Sequence, residues 1–332
     1  MGRRGRPPGR AQRGHPHVLA LRRQPPLRHG GGHHLRLDPR GRVGRDRAEG
    51  PHPDRPGVRV SVWIDGRLVD ASEAHVTAFD HGLLTGDGVF ETLKVYAGRA
   101  FAVRRHLERL TRSAAGLGLV LPDASVLRGA LDELVAADRL GDARLRITVT
   151  GGPSPLGSER GPGPPTVIVA GAPLGPPPGP TDVATVPWPR NERGALAGLK
   201  TISYGENVVA LHYARERGAT EAVFANLAGN LCEGTGTNVF VCIDGRVLTP
   251  PLSAGCLAGV TRDLILELTD ASEDDLPLVA LADADEAFLT STTREVQPVR
   301  AVDGRVLSAA PGTRTKEAAD AFTALVRREI DP

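Results

Sequence analysis

Lys200 has the side chain and the surroundings for covalent chemistry. It is one of only three lysines among the 41 basic Lys and Arg residues of the chain, and it lies among apolar and small residues in the stretch GALAGLKTIS. Loss of water around an amine lowers its pKa, and the neutral amine can form a Schiff base with a carbonyl group. An arginine cannot do so because it stays protonated at any attainable pH. Lys200 is therefore a candidate nucleophile, with a solvated surface charge as the alternative.

Two further features could complete a site around this amine. Glu233 follows in CEGTGTNVF, flanked by glycines and small hydroxyl residues, and a carboxylate against a heterocyclic nitrogen would keep that nitrogen protonated. The stretch AGVTRDLILEL predicts a helix directly after Gly259, so the amides of Val260 and Thr261 would lie at a helix N-terminus, where phosphate binds well. Amine, carboxylate and phosphate-binding helix together describe a pyridoxal 5′-phosphate site.

The elements that position these residues are predicted to be hairpins and amphipathic helices. Four stretches place a Gly-containing turn between short strand-like runs, which predicts β-hairpins: VSVWIDGRLVDA, VFETLKVYAGRAFAV, VFVCIDGRVLTPP and VQPVRAVDGRVL. ARLRITVT and TVIVAGA read as further strands. Apolar side chains at helical spacing predict helices; they include Leu107, Leu110, Ala114 and Leu117, then Leu127, Ala130, Leu131 and Leu134, then the ranges 206–217 and 261–268, and finally Ala318, Phe322, Leu325 and Val326.

Pro- and Gly-rich stretches mark the predicted breaks between these elements. Residues 151–165, GGPSPLGSERGPGPP, are expected to form a mobile loop, and the proline-dense residues 173–181 are expected to form a stiff extended linker. We place a domain boundary at this linker. It separates a small N-terminal domain, residues 58–172, from a larger domain, residues 182–332.

The first 57 residues differ in composition from the rest. They contain 14 Arg, no Lys and 4 acidic residues, whereas the whole chain has a net charge of only +2. Their Arg, Gly, Pro and His residues offer little apolar surface to bury, so we expect disorder. An over-extended gene start is the preferred explanation, and a basic arm that binds nucleic acid is the alternative.

Composition also limits the class of protein. Three cysteines do not form the pattern of a disulfide framework, and no Cys/His cluster has zinc spacing, so we expect a reducing cytoplasm and no metal. No apolar run approaches the roughly 18 to 20 residues that span a bilayer, so we expect no membrane span.

Six stretches in this order resemble the motifs of the class-IV aminotransferases of fold type IV: DHGLLTGDGVFETLKVY, HLERL, LKTISYGENV, CEGTGTNVF, GVTRD and FLTSTTREVQPVRAVDG. That family includes branched-chain aminotransferases, D-amino acid aminotransferases and 4-amino-4-deoxychorismate lyases. The resemblance covers roughly residues 60–330. It implies an α/β (α+β) fold with a small N-terminal and a larger C-terminal α/β domain, pyridoxal 5′-phosphate between them, and a homodimer.

The resemblance also implies roles for individual residues. Lys200 matches the lysine that forms the Schiff base with the cofactor, and Glu233 matches the glutamate hydrogen-bonded to the pyridine nitrogen. Tyr204 is matched to the cofactor's phenolic oxygen, although its offset from the lysine is one residue shorter than in branched-chain enzymes; a tyrosine packed under the following helix is the alternative.

A second group of residues is implied to hold the cofactor phosphate. Arg109, in HLERL, matches the arginine that contacts the phosphate, and its alternative is an exposed arginine on an amphipathic helix. Val260 and Thr261 match the backbone and hydroxyl donors at the helix start. Thr292, in TSTTREV, matches a further phosphate-binding hydroxyl.

The cofactor-binding residues alone do not distinguish between the reactions of this family. The same core residues serve transamination and a lyase reaction that gives pyruvate and 4-aminobenzoate. GDGVFET resembles the D-amino acid aminotransferase and lyase branches, yet TVTGGPSPLGS lacks the Arg and His that D-specific enzymes carry there. LKTISYGENVVAL is similar to actinobacterial 4-amino-4-deoxychorismate lyases. We therefore expect a lyase in folate biosynthesis; an amino acid transaminase for branched-chain L- or D-amino acids is the alternative, and a non-catalytic family member is a further one.

Overall fold

The computed structural model describes residues 60–332, and the predicted disordered extension, residues 1–57, lies outside this range. Both helices and strands are present, as the expected mixed α/β fold requires. No helix among the described residues is long and apolar enough to cross a membrane.

The first sheet has six strands, all antiparallel, in the order β2-β1-β6-β5-β3-β4. Its strands are β1 (Ser61–Ile64), β2 (Arg67–Asp70), β3 (Gly88–Tyr96), β4 (Arg99–Ala100), β5 (Ala143–Thr150) and β6 (Val167–Pro173). Three helices belong to this part of the chain: α1 (His81–Thr85), α2 (Val103–Leu117) and α3 (Ala124–Ala137). Helices α2 and α3 bury their apolar faces in one core with this sheet.

The second sheet has nine strands in the order β12-β11-β10-β13-β14-β7-β8-β9, with β15 paired to β14. Its strands are β7 (Thr181–Thr185), β8 (Glu221–Ala225), β9 (Leu231–Gly234), β10 (Asn238–Ile243), β11 (Arg246–Thr249), β12 (Ser272–Glu273), β13 (Glu286–Ser291), β14 (Glu295–Val302) and β15 (Arg305–Val306). The helices are α4 (Gly205–Glu216), α5 (Val260–Leu268), α6 (Ala280–Asp283) and α7 (Thr313–Arg328), with a 3-10 turn at Leu252–Ala254.

All four predicted hairpins are present, and their turns explain why. At the β1–β2 turn, Asp65 and Gly66 have φ values of 47° and 88°. A two-residue turn of this kind needs positive φ at both positions, which Asp tolerates and Gly adopts without strain. The same left-handed pairs recur at Ala97 and Gly98, Asp244 and Gly245, and Asp303 and Gly304.

The predicted helices are also present. The predicted apolar face of α3 is fully buried, and that of α2 is buried except for the half-buried Leu117. Helix α4 runs one residue earlier at each end than predicted, and α5 begins at Val260 instead of the following residue. Helix α7 begins at Thr313, before the first residue of the predicted apolar stripe, Ala318. The residues in between are polar, and only Thr315 among them is buried, so the apolar pattern does not mark them.

The predicted loop, residues 151–165, contains no helix or strand, and several contacts tether it. The Arg160 guanidinium donates to both carboxylate oxygens of Asp87 at 2.6 Å, and His81 Nε2 lies 3.1 Å from the carbonyl of Gly157. Residues 174–180, between β6 and β7, also have no helix or strand.

The segment that carries Lys200 is joined to the first sheet. The Phe90 amide donates to the carbonyl of Lys200 at 3.0 Å, and the Ile202 amide donates to the carbonyl of Gly88 at 2.9 Å. These bonds bracket an antiparallel bridge between Val89 and Thr201. As a result, the candidate lysine lies where the two sheets meet.

Candidate active site

A cavity of about 710 Å³ lies at this junction. All seven residues predicted from the sequence to bind the cofactor line its wall: Arg109, Lys200, Tyr204, Glu233, Val260, Thr261 and Thr292. They come from helix α2, strand β9, the start of helix α5, the segment just before α4 and the turn between β13 and β14. The tertiary structure therefore brings the predicted set together, and the chemical role of each member remains a prediction.

Lys200 is hydrogen-bonded at its backbone, and its amine lies beside an aromatic ring and among charged side chains. Its amide donates to Ser113 Oγ on α2 at 3.0 Å. Its Nζ lies 4.4 Å from the centroid of the Phe90 ring. Burial and then the nearby charge of Arg109 lower the pKa of the Lys200 amine to about 8, against the opposing charges of Glu91 and Glu233. The amine is thus poised to lose its proton not far above neutral pH.

Glu233 lies on β9, where its carboxylate has two neighbours. Oε2 accepts a hydrogen bond from the Leu257 amide at 2.9 Å, and Oε1 lies 3.3 Å from Arg190 Nε. Burial raises the pKa of Glu233, and the Arg190 guanidinium opposes that shift. Arg190 also lines the cavity and donates to Asn207 Oδ1 at 2.8 Å. The sequence analysis missed Arg190, because nothing in its local pattern marks it.

Arg109 is buried instead of exposed, and its guanidinium is fixed by a carboxylate. Nε and Nη2 donate to the two oxygens of Glu91 at 2.7 and 2.8 Å, and Nη1 donates to the carbonyl of Ala258 at 2.9 Å. His106 Nδ1 lies 2.7 Å from the same carboxylate. Although burial opposes it, the charge of Arg109 lowers the pKa of Glu91 far below its usual range. Glu91 belongs to the GDGVFET motif, so a signal was present, but its function was not inferred.

The start of α5 is suited to an anion. Gly259 is the N-cap residue, and no side chain caps this helix. A Cβ on Gly259 would overlap Asn238 Oδ1, so only glycine fits there. Val260 and Thr261 follow, both buried, with their amides in the first turn of the helix. Such uncapped amides favour a bound phosphate.

The opposite side of this anion site is formed by the end of β13 and the turn after it. Thr290, Ser291 and Thr292 line the cavity there. Thr290 Oγ1 is buried and has no hydrogen-bond partner among residues 60–332. A buried hydroxyl without a partner is costly, which indicates that it is satisfied by a bound group.

Tyr204 and Arg146 surround the ring that Lys200 contacts. Tyr204 precedes α4 and packs edge-to-face on Phe90, with ring centroids 5.2 Å apart, and burial raises the pKa of its hydroxyl. The Arg146 guanidinium lies 3.8 Å from the centroid of the same ring. Arg146 donates to Thr148 Oγ1 but forms no ion pair within residues 60–332. It too was missed, because on the sequence it is one of two arginines on β5 with nothing to distinguish them.

The family assignment rests on comparison with known proteins. The family model of the amino-transferases of class IV matches residues 88–302, more than half of the chain. The chain belongs to the class-IV aminotransferase family. Class-IV aminotransferases depend on pyridoxal 5′-phosphate. The structure also has the fold of solved members of this family, which confirms the expected fold class.

Similar class-IV aminotransferases come from several organisms. A putative branched-chain-amino-acid aminotransferase of Methanocaldococcus jannaschii is 35% identical over 259 residues, which are 75% of this chain and 90% of that protein. A D-alanine aminotransferase of Bacillus licheniformis is 33% identical over 266 residues, 77% of this chain and 94% of that protein. The crystal structure of a branched-chain aminotransferase from Thermoproteus uzoniensis with norvaline superposes with a TM-score of 0.76 at 32% identity, covering 81% of this chain and 95% of that one.

The residues of the cavity fit the cofactor of the class-IV aminotransferases. Of the five N–H groups of Arg109, three are used by the contacts above and two remain for a phosphate. The uncapped start of α5 and the unpartnered Thr290 hydroxyl add donors around the same space. Lys200 supplies an amine of lowered pKa, and Glu233 supplies a carboxylate.

Proposed function

We propose that the protein is a pyridoxal 5′-phosphate-dependent aminotransferase for apolar L-amino acids, with branched-chain amino acids as the preferred donors. The observation that carries the proposal is the arrangement around Phe90. The Lys200 amine lies 4.4 Å from the centroid of this ring, and the Arg146 guanidinium lies 3.8 Å from it. Lys200 lines the cavity, whereas Phe90 and Arg146 lie behind its wall, and we propose that the Arg146 guanidinium reaches past this ring to hold the carboxylate of the amino acid.

The cavity residues supply the remaining functions. Bound there, pyridoxal 5′-phosphate supplies an aldehyde that condenses with amines and a ring that takes up the electron pair of a deprotonated carbon. Lys200 Nζ would hold the cofactor covalently, with loss of one water molecule, and once displaced by the substrate amine it would carry the proton to and from the carbon that bears that amine. Glu233, whose ionised form Arg190 favours against the effect of burial, would accept a hydrogen bond from the ring nitrogen of the cofactor. Tyr204 would donate to the phenolic oxygen, and the phosphate would be held by Arg109, Val260, Thr261 and Thr292.

The substrate side of the cavity supports an apolar side chain. Five leucine and isoleucine residues line the cavity: Leu83, Leu196, Leu199, Ile202 and Leu257. These surfaces favour a branched aliphatic group, because burial of each CH₂ contributes about 0.8 kcal/mol.

The residues after the C-terminal end of β5 support a substrate amino acid of L configuration. Gly151 and Gly152 carry no side chain, and at Gly152 a Cβ would overlap the backbone carbonyl of Pro164, so a cation is absent from both positions and excluded at the second. A carboxylate trap of the kind found in D-specific enzymes, with Arg and His just after this strand, is therefore missing from these two positions.

The proposal replaces the lyase that the sequence motifs led us to expect. The similar proteins reported above are named as branched-chain and D-alanine aminotransferases, and no feature of the cavity favours expulsion of an enolpyruvyl group over return of the proton. A role in folate biosynthesis has no further support. We therefore keep the lyase as an outcome that the experiment must be able to detect.

The test compares three substrates with the full chain and added pyridoxal 5′-phosphate. L-leucine and D-alanine are each supplied with 2-oxoglutarate, and glutamate formation is measured; 4-amino-4-deoxychorismate is supplied without a keto acid, and pyruvate is measured. We expect L-leucine to be turned over at least 100-fold faster than D-alanine, with no sustained pyruvate release. Preferred use of D-alanine, or sustained pyruvate release, would replace the proposal by the D-specific enzyme or the lyase. If none of the three substrates is turned over and no cofactor is bound, the result would favour a non-catalytic member of the family.

We also propose that the protein is a homodimer with two domains per chain. Apolar side chains beside the cavity are exposed in the single chain, including Phe79 at 55% and Leu83 at 68%, and a second copy would cover them. The two sheets fit a small domain, residues 58–172, and a larger one, residues 182–332, joined by residues 173–181. A cytoplasmic location remains an expectation; the three cysteines, Cys232, Cys242 and Cys256, are buried and unpaired. Light scattering of the wild type and of Leu83→Glu would test the dimer.

A further inference from the structure

The turn between β13 and β14 carries Thr292 into the cavity, and two charged residues, Arg294 and Glu295, follow after Thr293. Arg294 and Glu295 point away from each other into different ion pairs. One pair belongs to the second sheet and the other reaches the first sheet. The turn is therefore held from two sides.

Arg294 is paired with a carboxylate that has no contact with solvent. Its Nη2 lies 3.1 Å from Glu221 Oε2, and the Glu221 side chain is 0% exposed. The other oxygen of Glu221 accepts hydrogen bonds from both the amide and the hydroxyl of Thr235. Thr235 lines the cavity two residues after Glu233. Glu221 thereby joins the segment that carries Glu233 to the turn that carries Thr292.

Glu295 is held by two residues of β3. Its Oε1 accepts hydrogen bonds from Lys94 Nζ at 2.5 Å and from Tyr96 Oη at 2.7 Å. The Lys94 amine also lies 4.7 Å from the Tyr96 ring centroid, and the Lys94 side chain is only 7% exposed. Another of the three lysines in the chain is thus committed to this contact across the two sheets.

The backbone of the turn is strained at the point where these contacts act. Glu295 has a φ of 55°, in the left-handed region that non-glycine residues rarely adopt. Such a conformation persists only when surrounding contacts over-determine it, and it is concentrated at functional sites. The Lys94 and Tyr96 bonds supply this constraint. Without them the turn could relax to an unstrained backbone, which would shift Thr292.

We propose that Arg294 and Glu295 are positioning residues that set the turn of Thr292 for the phosphate of the cofactor. The inference rests on the proposed function, and it adds two residues that touch neither substrate nor cofactor. Changing either residue should weaken binding of pyridoxal 5′-phosphate only by reducing what its phosphate contributes to the affinity. The reason is that a preorganised site loses affinity when its hydrogen-bond donors are allowed to move.

The experiment separates that part of the affinity by using two ligands. The dissociation constants of pyridoxal 5′-phosphate and of pyridoxal, which lacks the phosphate, are measured for the apoprotein by absorbance titration. For Arg294→Gln and for Glu295→Gln we expect the affinity for pyridoxal 5′-phosphate to fall about tenfold, while the affinity for pyridoxal changes less than twofold. Arg300→Gln is the matched control, because Arg300 is on the same strand β14 and forms an exposed ion pair with Asp182. It should leave both constants unchanged.

A double-mutant cycle keeps the test decisive if one variant is unstable. Thr292→Val should weaken binding of pyridoxal 5′-phosphate in the wild type, but much less in Arg294→Gln or Glu295→Gln, because the turn is already displaced there. Equal losses in all backgrounds, or equal losses for both ligands, would overturn the inference. A wild-type protein that binds pyridoxal 5′-phosphate no better than pyridoxal would instead refute the proposed function, so the two failures are distinguishable.

Discussion

The amine of Lys200 lies 4.4 Å from the centroid of the Phe90 ring, and the Phe90 amide donates to the carbonyl of Lys200. One residue of β3 therefore fixes the backbone of the lysine and removes water from one side of its side chain. Burial of this kind is what lowers the pKa of the amine. The reactivity of Lys200 depends on its contact with a residue 110 positions earlier in the chain.

Replacement of this lysine tests its covalent role. Lys200→Arg should fold, because the charge and much of the side-chain volume are kept, but it should form no covalent bond with pyridoxal 5′-phosphate. Borohydride reduction followed by peptide mass spectrometry measures the bond directly. Lys316→Arg, a change at an exposed lysine, is the control and should label Lys200 as the wild type does. A reduced adduct on another residue of Lys200→Arg would show that the assignment is wrong.

The pH dependence of cofactor capture should report the lowered pKa. The neutral amine is the form that attacks the carbonyl, so the rate of covalent binding should rise with pH, reach half of its maximum near pH 8, and then level off. Stopped-flow absorbance of apoprotein mixed with pyridoxal measures this rate without interference from phosphate ionisation. A midpoint near the ordinary lysine value of 10.5 would mean that burial does not act on this amine.

Arg190 should control the ionisation of Glu233. Removal of the guanidinium in Arg190→Gln raises the pKa of Glu233, because an opposite charge at 3.3 Å is lost. Loss of such a neighbour shifts a carboxyl pKa by about 1 unit or more. Glu233 would then become protonated at a higher pH, so the acidic limb of the kcat profile should move upward by about one unit. Arg193→Gln changes an exposed arginine nearby and should not move the limb.

Arg146 should act on substrate and not on cofactor. Arg146→Gln removes the unpaired cation beside Phe90, so we expect KM for both the amino acid and the keto acid to rise about tenfold, the effect of losing roughly 1.4 kcal/mol of a charged hydrogen bond. The dissociation constant of pyridoxal 5′-phosphate should not change. Arg144→Gln, also exposed on β5, is the matched control. A parallel loss of cofactor affinity would place Arg146 in the cofactor site instead.

The buried pair of Glu91 and Arg109 should be visible in stability. Removing one partner of a buried ion pair leaves an uncompensated charge and costs about 3 to 5 kcal/mol, so Glu91→Gln should lower the unfolding free energy of the apoprotein by about that amount. Glu108→Gln breaks an exposed pair with Arg104 on the same helix and should cost under about 0.5 kcal/mol. Urea unfolding followed by circular dichroism compares the two. Equal effects would contradict the burial argument.

The local structure of this protein could be predicted because its causes are local. The hairpin at Asp65 and Gly66 follows from two residues that tolerate positive φ, and helix α3 follows from apolar side chains at helical spacing. Lys200 and Glu233 could be found for a related reason: their residue types restrict the chemistry, and the motifs around them are contiguous. For these features a short window of sequence contains the physical cause.

Other features were decided only by the tertiary structure. Glu91 meets Arg109, Arg190 meets Glu233, and Lys94 meets Glu295, and each contact joins residues that are well separated in sequence. The reaction expected from the motifs was a lyase, whereas the transaminase has the better support. The motifs are shared by both activities, and the cavity wall combines the segment around Lys200, the end of β9, the start of α5 and the end of β13. Charge pairing and cavity shape depend on which distant segments meet, and that information appears only when the chain has folded.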